Sequence, residues 1–119
     1  MLIKSYYHAT RRIDDENGLK KCSIDTKGLL LVNFWAVWSI QCHHMSDVMR
    51  DMKTQINDTD TIVYIDWDLQ RGLAKNMEVY GVPILLIYFG GHEVGRLSGV
   101  LNAGALTRHI NTLAMRISE

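Results

Sequence analysis

Cysteine is scarce in this chain: 119 residues hold two, Cys22 and Cys42. Two thiols do not staple a small secreted domain. Neither charge is in excess, since 13 basic and 13 acidic residues leave a formal net charge of zero. That balance argues against a general nucleic-acid or anionic-membrane surface, and it lowers solubility near pH 7. No apolar run approaches the ~20 residues of a membrane span. The start, Met1-Leu2-Ile3-Lys4-Ser5-Tyr6-Tyr7-His8, has no signal-peptide apolar region. The expectations are a cytoplasmic location, no nucleic acid and no membrane. Repeats, low-complexity stretches and boundary signals are missing too, so residues 1–119 are expected to form a single domain. With 47% hydrophobic residues, that domain can bury a real core.

The stretch Val32-Asn33-Phe34-Trp35-Ala36-Val37-Trp38-Ser39-Ile40-Gln41-Cys42 organises the rest. An apolar run rich in strand formers ends at a short irregular step, and an amphipathic helix pattern starts near Cys42. Such a junction lies at the carboxyl end of a sheet, where free helix N–H groups and the positive end of the helix dipole favour a thiolate. Upstream, Leu2 to Tyr7 reads as a first strand. A short helix fits between Arg11 and Cys22, anchored by Ile13, Leu19 and Cys22. Asp25 to Gly28 is a turn, and Leu29 to Trp35 a central strand buried on both faces.

In the next helix Cys42, Met45, Val48, Met49, Met52 and Ile56 share one side, and Asp47, Arg50, Asp51, Lys53 and Gln55 the other. The methionines read as core filler. Asn57 to Asp60 ends the helix. Thr61 to Asp66 is a further buried strand. Leu69 to Tyr80 reads as a short helix with Leu69, Leu73 and Met77 inward, ending at Gly81. Ile84 to Phe89 and Glu93 to Ser98 form a hairpin across Gly90-Gly91. Asn102 is a candidate N-cap for a last helix with Leu106, Ile110, Leu113, Ala114 and Ile117 inward. The fold class is α/β, a mixed central sheet flanked by helices.

Five pieces resemble the thioredoxin family: Phe34-Trp35-Ala36-Val37-Trp38, Ile65-Asp66, Tyr80-Gly81-Val82-Pro83, Gly90-Gly91 and Gly99. Their spacings match across about residues 29 to 117. The resemblance implies a thioredoxin-like fold. It makes Pro83 a cis-proline whose loop presents backbone groups of Val82 to an extended peptide. Trp35 then packs under the active-site turn, and Trp38 flanks it at the surface beside Ile40 and Gln41. The family's activity is protein-disulfide oxidoreduction, with a thiol- or disulfide-bearing polypeptide client and a reductase as partners, and no cofactor or metal.

Against the family's Trp-Cys-x-x-Cys, this chain has an atypical Ser-x-x-Cys motif. Ser39 stands at the attacking-cysteine position and Cys42 at the resolving one. Disulfide exchange needs an attacking thiolate and a resolving thiol, so Ser39 should abolish the usual cycle. Asn33 replaces the family's buried proton-handling Asp, and Ile62 its nearby Lys. Asp47 replaces the proline that kinks the helix, and Gln41 the proline before the second cysteine. Cys22 reads as apolar filler. Cys42, His43 and His44 diverge by ~100° per residue on a helix and make no metal set. Asp66 and Asp68 read as strand-end and cap residues. The expected function is a divergent member that binds extended polypeptide or thiol partners without dithiol turnover. The alternatives are an oxidoreductase whose Cys-Ile-Gln-Cys motif has lost its first cysteine to Ser39, and a structural subunit of a complex.

Overall fold

In the computed structural model, which describes residues 2–5, 13, 15–52 and 59–118, the chain alternates strands and helices in the expected order. The elements are β1 (Leu2–Ser5), α1 (Glu16–Asp25), β2 (Leu30–Trp35), α2 (Ile40–Met52), β3 (Thr61–Asp66), α3 (Arg71–Asn76), β4 (Ile84–Phe89), β5 (His92–Ser98) and α4 (Ala103–Ser118). Tyr6, Tyr7, Ile56 and the stop expected at Asn57-Asp58 lie outside the described residues.

The sheet order is β1-β3-β2-β4-β5. Strand β3 runs parallel to both β1 and β2, whereas β4 runs antiparallel to β2 and β5. Successive strand side chains point to opposite faces. Leu30, Val32 and Phe34 therefore pack on one side with Leu19 and Cys22 of α1 and Leu73 of α3. Leu31 packs on the other with Met45 and Met49 of α2 and Leu106 and Ile110 of α4. Burial on both faces explains why β2 and β4 read as almost unbroken apolar runs. Each fully buried Leu, Ile or Phe side chain contributes roughly 1.5–3 kcal/mol.

Local signals set the element ends. The Asp15 carboxylate accepts from the Gly18 N–H at 2.8 Å and starts α1. Asn102 does the same for Ala105 at 2.8 Å, as expected for the cap of α4. Gly90 and Gly91, with φ of 58° and 89°, turn the hairpin. Helix α3 is shorter than its pattern predicts. Residues 67–70 form turns, because the Asp66 carboxylate accepts from the N–H groups of Asp68 and Leu69 at 2.9 and 3.2 Å. Leu69, expected inward, is 75% exposed. The helix ends before Glu78, which takes a left-handed φ of 58°, and not at Gly81.

Candidate functional site at the carboxyl end of the sheet

Strand register decides which loops meet. Trp35 lies beside Asp66 across the parallel β2/β3 pair, and Phe34 opposite Ile84 across the antiparallel β2/β4 pair. The segments after β2, after β3 and before β4 therefore share one end of the sheet. The Val82–Pro83 peptide bond there is cis, as the resemblance implied. Pro83 is buried, and its carbonyl accepts from the Gly99 N–H at 3.1 Å. Val82 is half-buried. Among the described residues, no backbone hydrogen bond engages its N–H or C=O.

The step from β2 to α2 is tightly bonded. The Ser39 N–H donates to the Ala36 carbonyl at 3.2 Å, and the Ser39 carbonyl accepts from the His43 N–H at 3.3 Å. The Ser39 hydroxyl oxygen accepts from the Cys42 N–H at 3.2 Å. This is the bond of an N-cap side chain to the third residue of a helix, which satisfies one orphan donor of the first turn. The Cys42 sulfur accepts from the Ala36 N–H at 3.4 Å. Ser39 is 7% exposed and Cys42 is 2% exposed.

This packing corrects the reading of Ser39-Ile40-Gln41-Cys42 as an atypical active-site motif. The expected site needs position 39 open to a client. Its side chain is instead turned inward as the cap of α2. Both cysteines, Cys22 and Cys42, are buried thiols outside any disulfide. What the chain holds is the fold with two sealed thiols, and residues 39 and 42 build a helix start.

Large aromatic and aliphatic side chains are exposed at this end. Val37 is 65% exposed, Trp38 62%, Ile40 71% and Tyr80 74%. Gln41 is exposed, and Trp35 is half-buried below. The Trp38 indole N–H donates to Asp68 at 2.7 Å, and its ring meets Trp67 edge-on at a centroid distance of 6.2 Å. The Arg71 guanidinium lies over the Trp67 ring at 3.6 Å and pairs with Asp68 at 3.4 Å. The Trp67 indole N–H donates to the Val79 carbonyl at 3.0 Å. This bracket fixes the Trp38 ring on the surface, since edge-to-face and cation–π contacts hold aromatic planes at set angles.

Sequence reasoning missed Trp67 and Arg71 and took Asp68 as a cap residue. The available signal was a tryptophan directly after the strand-ending Asp66. The His43 ring nitrogen is bonded to the Val37 carbonyl at 2.9 Å, so it braces the turn. Among the described residues, Asn33, at 0% exposure, has no hydrogen-bond partner for either amide atom. Among the described residues, no cluster of three or more His, Cys, Asp or Glu could hold a metal.

A family model described as Thioredoxin matches residues 13–112. The chain belongs to the thioredoxin family. The thioredoxin of Mycobacterium tuberculosis is 27% identical over 89 residues, which cover 75% of this chain and 77% of that protein. Glutaredoxin-3 of Mus musculus is 31% identical over 87 residues, 73% of this chain and 25% of that protein. The chain spans 19% of the bifunctional thioredoxin reductase/thioredoxin of Mycobacterium leprae, to which it is 25% identical. Among solved structures, a single-site mutant of a thioredoxin from Halobacterium salinarum superposes with a TM-score of 0.74. That match has 21% identity and covers 95% of this chain and 91% of the other. The thioredoxin fold is thus shared over nearly the whole chain. Among the described residues, no helix is long and apolar enough to cross a membrane.

Proposed function

We propose that this thioredoxin-family chain binds extended polypeptide segments at the carboxyl end of its sheet and does not turn over disulfides. The observation that carries the reading is the rim of Val37, Trp38, Ile40 and Tyr80 above a capped helix start with its thiol sealed. Large apolar side chains left in water at one end of a molecule mark an interaction surface. Trp38 is the anchor, because its ring is pre-fixed by Asp68 and Trp67 and loses little freedom on binding. Ile40 and Gln41 extend the rim. Val82, beside the buried Pro83, offers backbone groups to a peptide lying across it, and Trp35 and Asn33 support the floor. The client is a protein or peptide in extended form, and a thiol on it is not required.

The test uses a reduced, alkylated and unfolded polypeptide, which carries no reactive sulfur. It should bind the native chain, and Trp38→Ala should weaken binding by about 2 kcal/mol, roughly thirtyfold, as expected for a truncated tryptophan anchor. Insulin reduction in dithiothreitol should stay at background. Robust turnover that disappears when Cys42 is changed would overturn the proposal. So would an alkylated polypeptide that binds Trp38→Ala as well as it binds the native chain.

A further inference from the structure

A second feature lies on the far edge of the sheet and shares no residue with the loop end. Strand β5 is an edge strand, so one side of its backbone has no partner strand among the described residues. Helix α4 packs beside it so closely that a Cβ on Gly95 would meet Leu113 at 2.7 Å. Next to this contact, between β5 and α4, is a cleft of about 580 Å³. Gly95 and Leu97 form part of its floor, and Arg108, His109, Thr112 and Arg116 form one wall.

The charge on that wall is one-sided. Among the described residues the cleft contains no carboxylate, and α4 has no Asp or Glu in its 16 residues. The arginines elsewhere in the described residues have carboxylate partners. Arg50 pairs with Asp47 at 3.2 Å, Arg71 with Asp68 at 3.4 Å and Arg96 with Glu93 at 2.9 Å. Arg96 also borders the cleft, but its guanidinium is committed to Glu93 and to the carbonyls of Met77 and Glu78. Arg108 and Arg116 form no ion pair among the described residues, and both are exposed.

We propose that this cleft binds an acidic peptide in extended conformation, which adds as a strand to the open edge of β5 and places carboxylates four residues apart on Arg108 and Arg116. An open strand edge supplies main-chain hydrogen bonds to any added strand, and side-chain sites supply the selectivity. The spacing selects the pattern. Eight helical residues at about 1.5 Å each put Arg108 and Arg116 about 12 Å apart. Four strand residues at about 3.3 Å each span about 13 Å. Carboxylates at positions i and i+4 of the peptide therefore match the two guanidinium groups, each of which can grip a carboxylate in two-point fashion. The residue at i+2 faces Thr112 and His109.

The probe is a blocked nonapeptide, Ser-Thr-Glu-Thr-Thr-Thr-Glu-Thr-Ser, titrated into the full chain at low and high salt. Binding should shift the amide resonances of Gly95 to Ser98 and weaken as salt rises. Replacing both peptide glutamates by glutamine should weaken binding at least tenfold. The double variants Arg108→Glu with Arg116→Glu, and Arg108→Gln with Arg116→Gln, should do the same, while Arg50→Glu leaves binding unchanged. Equal binding of the Glu and Gln peptides would overturn the proposal. So would no binding, shifts confined to residues 37–41 and 80–83, or inorganic phosphate that binds the cleft as tightly as the peptide. Preference for anionic vesicles or nucleic acid over the peptide would overturn it as well.

Discussion

Ser39 is an N-cap whose hydroxyl can be tested apart from any chemistry. Removing it frees the Cys42 N–H at the start of α2. Ser39→Ala should cost about 1 kcal/mol in denaturant unfolding, the usual effect of a lost cap, while binding of alkylated polypeptide changes less than twofold. Tyr88 gives a pH test. It is 2% exposed on β4, and burial first, then the negative charge of Glu93, pushes its phenol from an ordinary value of 10.0 to about 12. Its proton is held more tightly in the folded chain than in the unfolded one. The stability this provides is complete below about pH 10 and is lost as pH rises through about 12. In urea titrations between pH 9 and 12, the native chain should lose on the order of 2 kcal/mol relative to Tyr88→Phe. Parallel curves for the two proteins would show that Tyr88 does not titrate in this way. Single residues also mark the limit of sequence reading. The identities Ser39 and Cys42 are plain in the chain, but whether a hydroxyl turns inward to cap or outward to meet a client depends on a bond to Cys42 N–H that no pattern encodes.

The start of β2 shows how tightly one element is tied to its neighbour. The Gly28 N–H donates to the Thr59 carbonyl at 3.0 Å, and the Leu29 N–H donates to the Asp60 carboxylate at 2.8 Å. A Cβ on Gly28 would meet the Thr59 carbonyl oxygen at 2.8 Å and would also overlap the Asp60 carboxylate. Gly28→Ala should therefore destabilise by about 1–3 kcal/mol, the cost of forcing an extra carbon into packed surroundings. A thermal-melt midpoint indistinguishable from the parent's would refute that close approach. Elements with two buried faces were legible, because β2, β3 and β4 bury apolar runs that only a covered sheet explains. Helix α3 was less so. Leu69 sits at a helical spacing from Leu73, yet Asp66 captures the N–H groups of Asp68 and Leu69 and holds the chain in turns. Local side-chain bonding to the backbone outcompeted periodicity there.

For the whole molecule, both thiols lie inside a folded body, with Cys22 at 1% and Cys42 at 2% exposure. Alkylation of each should be slow in the native state and fast in denaturant. Equal rates in the two conditions would contradict the burial of both. The layered fold was readable from apolar periodicity and turns, and the meeting of three loops only through the resemblance carried by Trp35, Trp38 and Pro83. The Trp67–Arg71–Asp68 bracket was not, since it joins residues on a turn to a ring some thirty positions earlier through contacts formed only after the sheet assembles. The strand order β1-β3-β2-β4-β5 has one more consequence, in time rather than space. Strand β2 is bonded on both sides and covered on both faces, so its amide protons reach solvent only when the entire molecule opens. In deuterium exchange, Leu31 and Val32 should be among the last amides to exchange, at a rate that reports the global unfolding free energy. Amides on the free side of β5 should exchange by local fluctuation within a far shorter time, and their exchange should slow when a peptide strand occupies that edge.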